Sequence, residues 1–205
     1  NKKLKPIDIH YKDYAEWEVK YKKTKEYKAK RDYWKEKLSG ELPPLEMMTD
    51  FSRKAEWNYA GHTLKQKLSD SVYKKIQKLE SQLNVTTYSI LISAYNILLS
   101  KYTRQEDVVI GAAVSGRSRS EVQEIVGMFV NTLPFRSFID NEMSCKDVLF
   151  GAQKNMLEML SNQDYYLTDL VNDIGFKNDI GRNPIYDIIF NYLPKEEKEN
   201  FNLKL

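Results

Sequence analysis

The run Ile125-Val-Gly-Met-Phe-Val-Asn-Thr-Leu-Pro-Phe-Arg136 is apolar along most of its length, with an amide and a hydroxyl, Asn131 and Thr132, side by side inside it. The residue types predict a β-strand from Met128 to Ile139, in which Pro134, lacking an N–H for the ladder, marks an edge, a bulge or a break. A polar group buried in such a run needs a hydrogen-bond partner, so Asn131 and Thr132 either tie backbone together or point into a polar tunnel. Immediately upstream, Asp107-Val-Val-Ile-Gly-Ala-Ala-Val114 is a continuous apolar stretch of strand length, the pattern of a strand covered on both faces. The two are joined by Ser115-Gly-Arg-Ser-Arg-Ser120, a loop whose Arg117 and Arg119 could grip an anion, although loop arginines are more commonly solvated.

Helical patterns surround these strands. Between Asp8 and Leu38 the aromatic residues Tyr14, Trp17 and Tyr21, followed by Tyr27, Tyr33, Trp34 and Leu38, predict two helices, or one broken near Thr24, stopped by Ser39-Gly40. Glu41-Leu42-Pro43-Pro44 cannot continue a helix, and residues 41–60 read as an extended surface crossing. From Gly61 to Leu68 the alternation of His62, Leu64, Gln66 and Leu68 with Thr63, Lys65 and Lys67 has the period of a strand. Ser69 can cap a helix with the stripe Val72, Ile76, Leu79 and Leu83, closed by a left-handed Asn84. Thr86 or Thr87 opens a second helix, apolar nearly all round to Tyr102 and therefore expected in the core. Ser144 with Asp147 forms a capping-box variant before a helix to about Leu160. Thr168 can cap a short helix to Ile174, and Ile185-Tyr-Asp-Ile-Ile-Phe-Asn-Tyr192 is a last apolar strand. This alternation predicts an α/β fold with a mixed β-sheet covered by helices.

The 205 residues are 41% hydrophobic and 30% charged, which suits one globular domain or two small ones and excludes disorder, collagen-like repeats and a disulfide-built miniprotein. Net charge is +3, but the first forty residues hold 13 Lys/Arg against 7 Asp/Glu and carry +6, a local excess that reads as a solvated helical face. No nucleic-acid reading motif accompanies it, so no nucleic-acid partner is expected. The single cysteine, Cys145, excludes an intrachain disulfide and reads as a small buried group in a reducing compartment. No apolar run is long enough to span a bilayer and no signal-type apolar core follows the first residues, so we expect a cytoplasmic protein without a membrane partner. The chain opens on Asn1 and ends on Asn202-Leu203-Lys204-Leu205, which reads as a piece of a longer polypeptide.

Generic catalytic constellations are absent from the sequence. Nucleophilic triads use histidine as base, and the histidines here are His10 and His62, far apart. Two separated histidines and one cysteine have no metal-ligand spacing. Ala113-Val-Ser-Gly116 lacks the first glycine of a nucleophile elbow, and no Gly-Lys-Ser/Thr phosphate loop occurs. Two places keep chemical interest: the Asn131-Thr132 pair, and Asp179-Ile-Gly-Arg-Asn-Pro184, where Arg182 and Asn183 precede a proline at a strand entry.

Four segments, Tyr11-Lys-Asp-Tyr-Ala-Glu-Trp17, Ile125 to Arg136, Asn162-Gln-Asp-Tyr165 and Asp179 to Pro184, resemble in order and spacing the later core motifs of the condensation domains of nonribosomal peptide synthetases. Smaller echoes agree: Tyr33-Trp34 with Leu38, Thr49-Asp50, and Asp107 to Gly111 with Ser115-Gly116-Arg117. The family's defining His-His-x-x-x-Asp-Gly motif is not in this chain, since Tyr11 follows His10 and Thr63 follows His62. The resemblance therefore implies the C-terminal lobe of a two-lobed, chloramphenicol-acetyltransferase-like domain, spanning residues 1–205, with the N-terminal lobe and its catalytic histidine upstream. The fragment alone is expected to be inactive.

The activity implied by the resemblance is amide formation, in which the amine of a carrier-bound aminoacyl thioester attacks a carrier-bound donor acyl thioester. No cofactor is expected to bind directly, since phosphopantetheine arms of carrier proteins present both substrates. The implied partners are the N-terminal lobe, upstream and downstream carrier proteins, and an adjacent adenylation domain. By the same resemblance Asn131, Thr132 and Arg136 would line or brace the tunnel between lobes, and Arg182, Asn183 and Asp187 would brace the active-site face. The family's usual Pro-Phe-Glu after the Asn-Gln-Asp motif is replaced by Tyr166-Leu167-Thr168, and the usual Ser before Arg-Asn-Pro by Gly181. Rival readings are an epimerising or heterocyclising relative, a free-standing acyltransferase of the same superfamily, and a non-catalytic lobe that recruits another protein.

Overall fold

A computed structural model describes residues 6–51, 60–175 and 182–193. The apolar run Asp107–Val114 forms β1, almost wholly buried and therefore central. Asn131–Phe138 forms β2, which lies antiparallel to β1 from Asp107 opposite Phe138 to Val114 opposite Asn131. The short strand β3, Ile189–Phe190, runs parallel to β1 on its other side, giving a mixed sheet of order β2-β1-β3. Pro134 thus sits on an edge strand, opposite Gly111, where its missing N–H costs the ladder little.

Six helices surround the sheet among the described residues: α1 Tyr11–Tyr21, α2 Lys25–Lys37, α3 Asp70–Leu83, α4 Thr87–Thr103, α5 Cys145–Ser161 and α6 Leu167–Ile174. Their ends follow from local chemistry. Thr24 caps α2, accepting from the Tyr27 N–H, and so breaks the leading helical stretch in two. Ser69, Thr86 and Ser144 cap α3, α4 and α5, the last as a capping box with Asp147. Asn84 closes α3 in the left-handed conformation, with φ of +52°. Helix α4 packs on β1 and α5 on β2, the two helices against each other, while α2 packs on α6.

Several expectations are corrected. Residues 61–68 form no strand and lie exposed, because no neighbouring strand among the described residues offers them a ladder. The last strand shrinks from the expected 185–192 to two residues, and β2 begins at Asn131 rather than Met128. Helix α6 is opened by Tyr166, with Thr168 already inside its first turn. In α3 the stripe buries Ile76 alone, leaving Val72 and Leu79 exposed, since only α4 covers it. In α4 the buried side carries Ser89, Ser93, Asn96 and Ser100 beside Ile92 and Leu99, while Leu98 faces out. The polar groups on this inner side find partners there, Ser93 donating to the Ser89 carbonyl and Asn96 to the Ser137 hydroxyl, which is what lets them be buried. Cys145 is exposed at the start of α5, not buried.

Gly111 is where the sheet is tightest. Its N–H donates to the Ile188 carbonyl at 2.7 Å, and a Cβ there would stand 2.6 Å from the Tyr186 ring. Gly111→Ala is expected to destabilise the fold by about 1–3 kcal/mol through overpacking. Urea unfolding checks this, and an unchanged midpoint with an unchanged slope would show that Tyr186 moves aside freely.

Candidate functional site

The region opens with the loop after β1. Arg117 is neither solvated nor free for an anion. Its guanidinium donates to the carbonyls of Val122, Gln123 (3.2 Å) and Ile125 (2.9 Å), and stacks 4.3 Å from the centre of the Phe129 ring. Gly116 allows this return, because its φ is +65° and a Cβ would lie 1.8 Å from the Phe129 carbonyl oxygen. The loop thereby encloses a small second core of Val122, Ile125 and Phe129, with Tyr14 of α1 against it. Phe129 is bracketed by Tyr11 and Tyr14 at ring separations of 5.3 and 4.7 Å.

Ile125 and Phe129 are buried, and the apolar side chains next to them turn outward: Val126, Met128 and Val130 are 88%, 79% and 60% exposed. These three make an apolar stripe leading directly into β2, and sequence reasoning missed it. Every residue from Ile125 to Val130 except Gly127 is apolar, so residue type alone does not separate the buried Ile125 and Phe129 from the exposed three.

Asn131 is buried, and both ends of its amide are occupied by backbone. Its Nδ2 donates to the carbonyls of Gln163 and Tyr165, each at 3.0 Å, and its Oδ1 accepts from the Leu167 N–H at 3.5 Å. Of the two roles open to a polar residue here, it takes the backbone tie, holding the start of β2 to the turn before α6. Burial pushes the Tyr186 phenol up, and Thr132 beside it partly opposes the rise. In the following segment Arg182 pairs with Asp187 at 3.3 Å, and Asn183 is exposed. Tyr186 packs over Gly111, two positions along β1 from Ala113, the partner of Thr132, while Asn131 lies at the Val114 end of the strand pair.

Arg136 lies elsewhere, five residues or about 17 Å along β2. Its Nε and Nη2 hold both oxygens of Asp107, at 2.7–3.2 Å, while Nη1 and Nη2 donate to the carbonyls of Ser39 (2.7 Å) and Glu41 (3.1 Å). This clamps the end of α2 and the start of the crossing onto the sheet, a bidentate use for which lysine is no substitute.

The Tyr166 departure also has a structural account. Its hydroxyl meets that of Tyr14 at 2.6 Å, Lys22 lies 5.0 Å over its ring, and Lys22 pairs with Asp169 at 3.0 Å. Tyr27 donates to Asp169 and Tyr165 to Asp173 at 2.5 Å. Burial, with these carboxylates beside them, pushes the Tyr27 and Tyr165 phenols well above their ordinary range. The seam joins α1 and α2 to α6. The Gly181 departure lies outside the described residues. Among the described residues no three His, Cys, Asp or Glu side chains are grouped to hold a metal, and no helix is long and apolar enough to cross a membrane.

The model of the condensation domain family matches residues 1–204. The chain belongs to the condensation domain family. Bacitracin synthase 1 of Bacillus licheniformis is 36% identical over 191 residues, covering 93% of this chain and 4% of that protein. Among solved structures, the first condensation domain of the CDA synthetase superposes with a TM-score of 0.71 at 18% identity, covering 93% of this chain and 41% of that one. The X-domain from teicoplanin biosynthesis, in complex with OxyB, gives 0.83 at 17% identity, covering 91% and 42%. The fold is the chloramphenicol-acetyltransferase-like α/β fold. This condensation-family chain thus spans a few percent of the curated synthetase and about two-fifths of each of these two solved chains.

Asn131→Leu is expected to leave two carbonyls without their donor and to destabilise the fold by about 2–3 kcal/mol; denaturant unfolding tests it, and a loss below the measurement error would reduce the tie to a bystander. Tyr33 and Tyr88 supply a pH test. Burial raises both phenols from 10.0 to about 12, and neither hydroxyl finds a partner among the described residues. The stability carried by the neutral phenols is complete below pH 10 and lost as pH climbs from 10 towards 12, because the unfolded chain releases these protons first. Tyr88→Phe should therefore unfold at higher pH than the parent, followed by circular dichroism; an earlier alkaline transition would contradict it.

Proposed function

We propose that this chain is the C-terminal lobe of an amide-forming condensation domain in a nonribosomal peptide synthetase, and that it forms one wall of the tunnel where two carrier-bound thioesters meet. The observation that carries this reading is the exposed Val126-Met128-Val130 stripe, held rigid by Arg117 and Phe129 behind it and by the Asn131 tie at its end. Such a surface suits a wall that excludes water and receives an apolar partner face. The two-fifths coverage of the solved chains suits one lobe of two.

In the reaction, the acceptor amine attacks the donor carbonyl carbon, the C–N bond forms as the C–S bond breaks, and the thiolate of the donor's phosphopantetheine arm leaves. The amine proton passes to the catalytic histidine, which lies in the N-terminal lobe, and on to the departing thiol. Thioesters are already activated, so positioning and oxyanion support are the main demands. Asn131 and Thr132 brace the wall, Arg182 with Asp187 shapes the active-site face, Asn183 presents its amide there, and Arg136 keeps the leading helices in place from a distance. The partners are the N-terminal lobe, the flanking carrier proteins and an adenylation domain, in the cytoplasm, and the isolated lobe is inactive.

A protein-recruiting lobe is the second reading, favoured by the 0.83 superposition on the X-domain solved with OxyB. A His-His-x-x-x-Asp-Gly motif encoded upstream of Asn1 decides for catalysis, and its absence for recruitment. In the intact parent domain Asn183→Ala is expected to slow amide formation at least about tenfold, as for a lost hydrogen bond to a reacting group, with unfolding unchanged. Single-turnover assay of product on the carrier tests this, and wild-type turnover removes Asn183 from the site.

A further inference from the structure

Arg119 stands two residues from Arg117 and behaves differently. Its guanidinium carbon lies over the Trp17 indole, 4.3 Å from the ring centre, with the Tyr21 ring centre at 5.7 Å. It is half-buried and forms no hydrogen bond or ion pair from its side chain among the described residues. The contact with the rings leaves its N–H groups without a protein acceptor among the described residues, and a guanidinium so placed can receive a carboxylate bidentately. Because the Arg117 bonds to Val122, Gln123 and Ile125 hold this loop, Arg119 is preset rather than floppy.

Beside it is a cleft of about 300 Å³ between the start of α1 and the loop, walled by Ile9, Tyr14, Trp17 and Val122. That volume is at the small end of ligand pockets, and an apolar wall with one convergent polar group is their usual make-up. Two carboxylates border the cleft, and each is turned to a local donor. Asp13 accepts from the His10 N–H at 2.9 Å and Glu121 from the Ser120 hydroxyl at 3.1 Å. Neither forms a hydrogen bond or ion pair with Arg119 among the described residues, although the Arg119 charge, after the backbone and Ser120 hydrogen bonds, helps hold the Glu121 carboxyl low. The one cation in the lining therefore keeps N–H groups for a ligand while the acids at the rim disfavour polyanions.

We propose that this cleft is a binding site for an amphipathic monocarboxylate, its carboxylate on Arg119 and its apolar body against Tyr14, Trp17, Ile9 and Val122. The carboxylate could belong to a free small acid or to the C-terminus of a polypeptide ending in an apolar residue, and the probes separate the two. The site is distinct from the Val126-Met128-Val130 wall and does not depend on the amide-forming reading.

The test is calorimetric and ligand-observed NMR titration of the full chain with 3-phenylpropionate, N-acetylphenylalanine, 3-phenylpropanol and phenethylamine. Binding of one or both carboxylates with a dissociation constant in the millimolar range or tighter is expected. The alcohol and the amine should bind at least about tenfold more weakly, the ratio set by a charge-assisted hydrogen bond. Preference for N-acetylphenylalanine assigns the site to a polypeptide C-terminus, and preference for 3-phenylpropionate to a free acid. Arg119→Gln should weaken carboxylate binding about tenfold or more while the thermal midpoint stays put, and Arg119→Lys should recover only part of it. No carboxylate binding up to millimolar concentration, equal binding of the alcohol, or full affinity in Arg119→Gln overturns the proposal.

Discussion

The constraint on which the rest depends is the burial of β1 on both faces and along both edges. A strand without solvent must find every backbone partner within the protein, so β2 has to pair along its full length on one side and the 188–190 segment has to arrive on the other. Gly111 is where both demands meet. It faces Pro134 on the edge strand, donates its N–H to the Ile188 carbonyl, and leaves under the Tyr186 ring no room for a Cβ. Tyr186 thus holds the segment before β3 against the middle of β1 in one crowded contact.

From that centre, positively charged side chains set the positions of the peripheral elements. Arg136 ties α2 and the crossing to Asp107, Arg117 folds the following loop onto Phe129, and Lys22 and Lys30 join α1 and α2 to Asp169 and Asp164 at 3.0 Å. The basic excess of the first forty residues is thus partly structural, since these two lysines work at an internal seam while others remain on the solvent side. Aromatic rings of α1 then lie over the loop, and the side chains they do not cover, Val126, Met128 and Val130, are left as an apolar surface on rigid backing.

Much of this could be read in advance wherever the cause is local. Capping residues such as Thr24, Ser69 and Ser144 satisfy helix N–H groups a few residues away, and a fully apolar run such as 107–114 has one stable destination. Asn131 and Thr132 could be singled out because polar groups inside apolar runs need partners, and Arg182 because it precedes a proline at a strand entry. The partners of Asn131 could not be named, because Gln163 and Tyr165 are remote in the chain and meet it only on folding.

Residue pattern by itself determined the α/β class, the caps of α2 to α5 and the family motifs, all of which depend on short-range chemistry and periodicity. Tertiary structure alone decided that 61–68 is not paired, that α4 turns its serines inward, and that Arg117 is structural while Arg119 is open. It also decided that Arg136 works far from Asn131. Each of those outcomes depends on which surfaces lie within a few ångströms of each other, and hydrogen-bond partners and close packing are properties of that proximity rather than of sequence spacing.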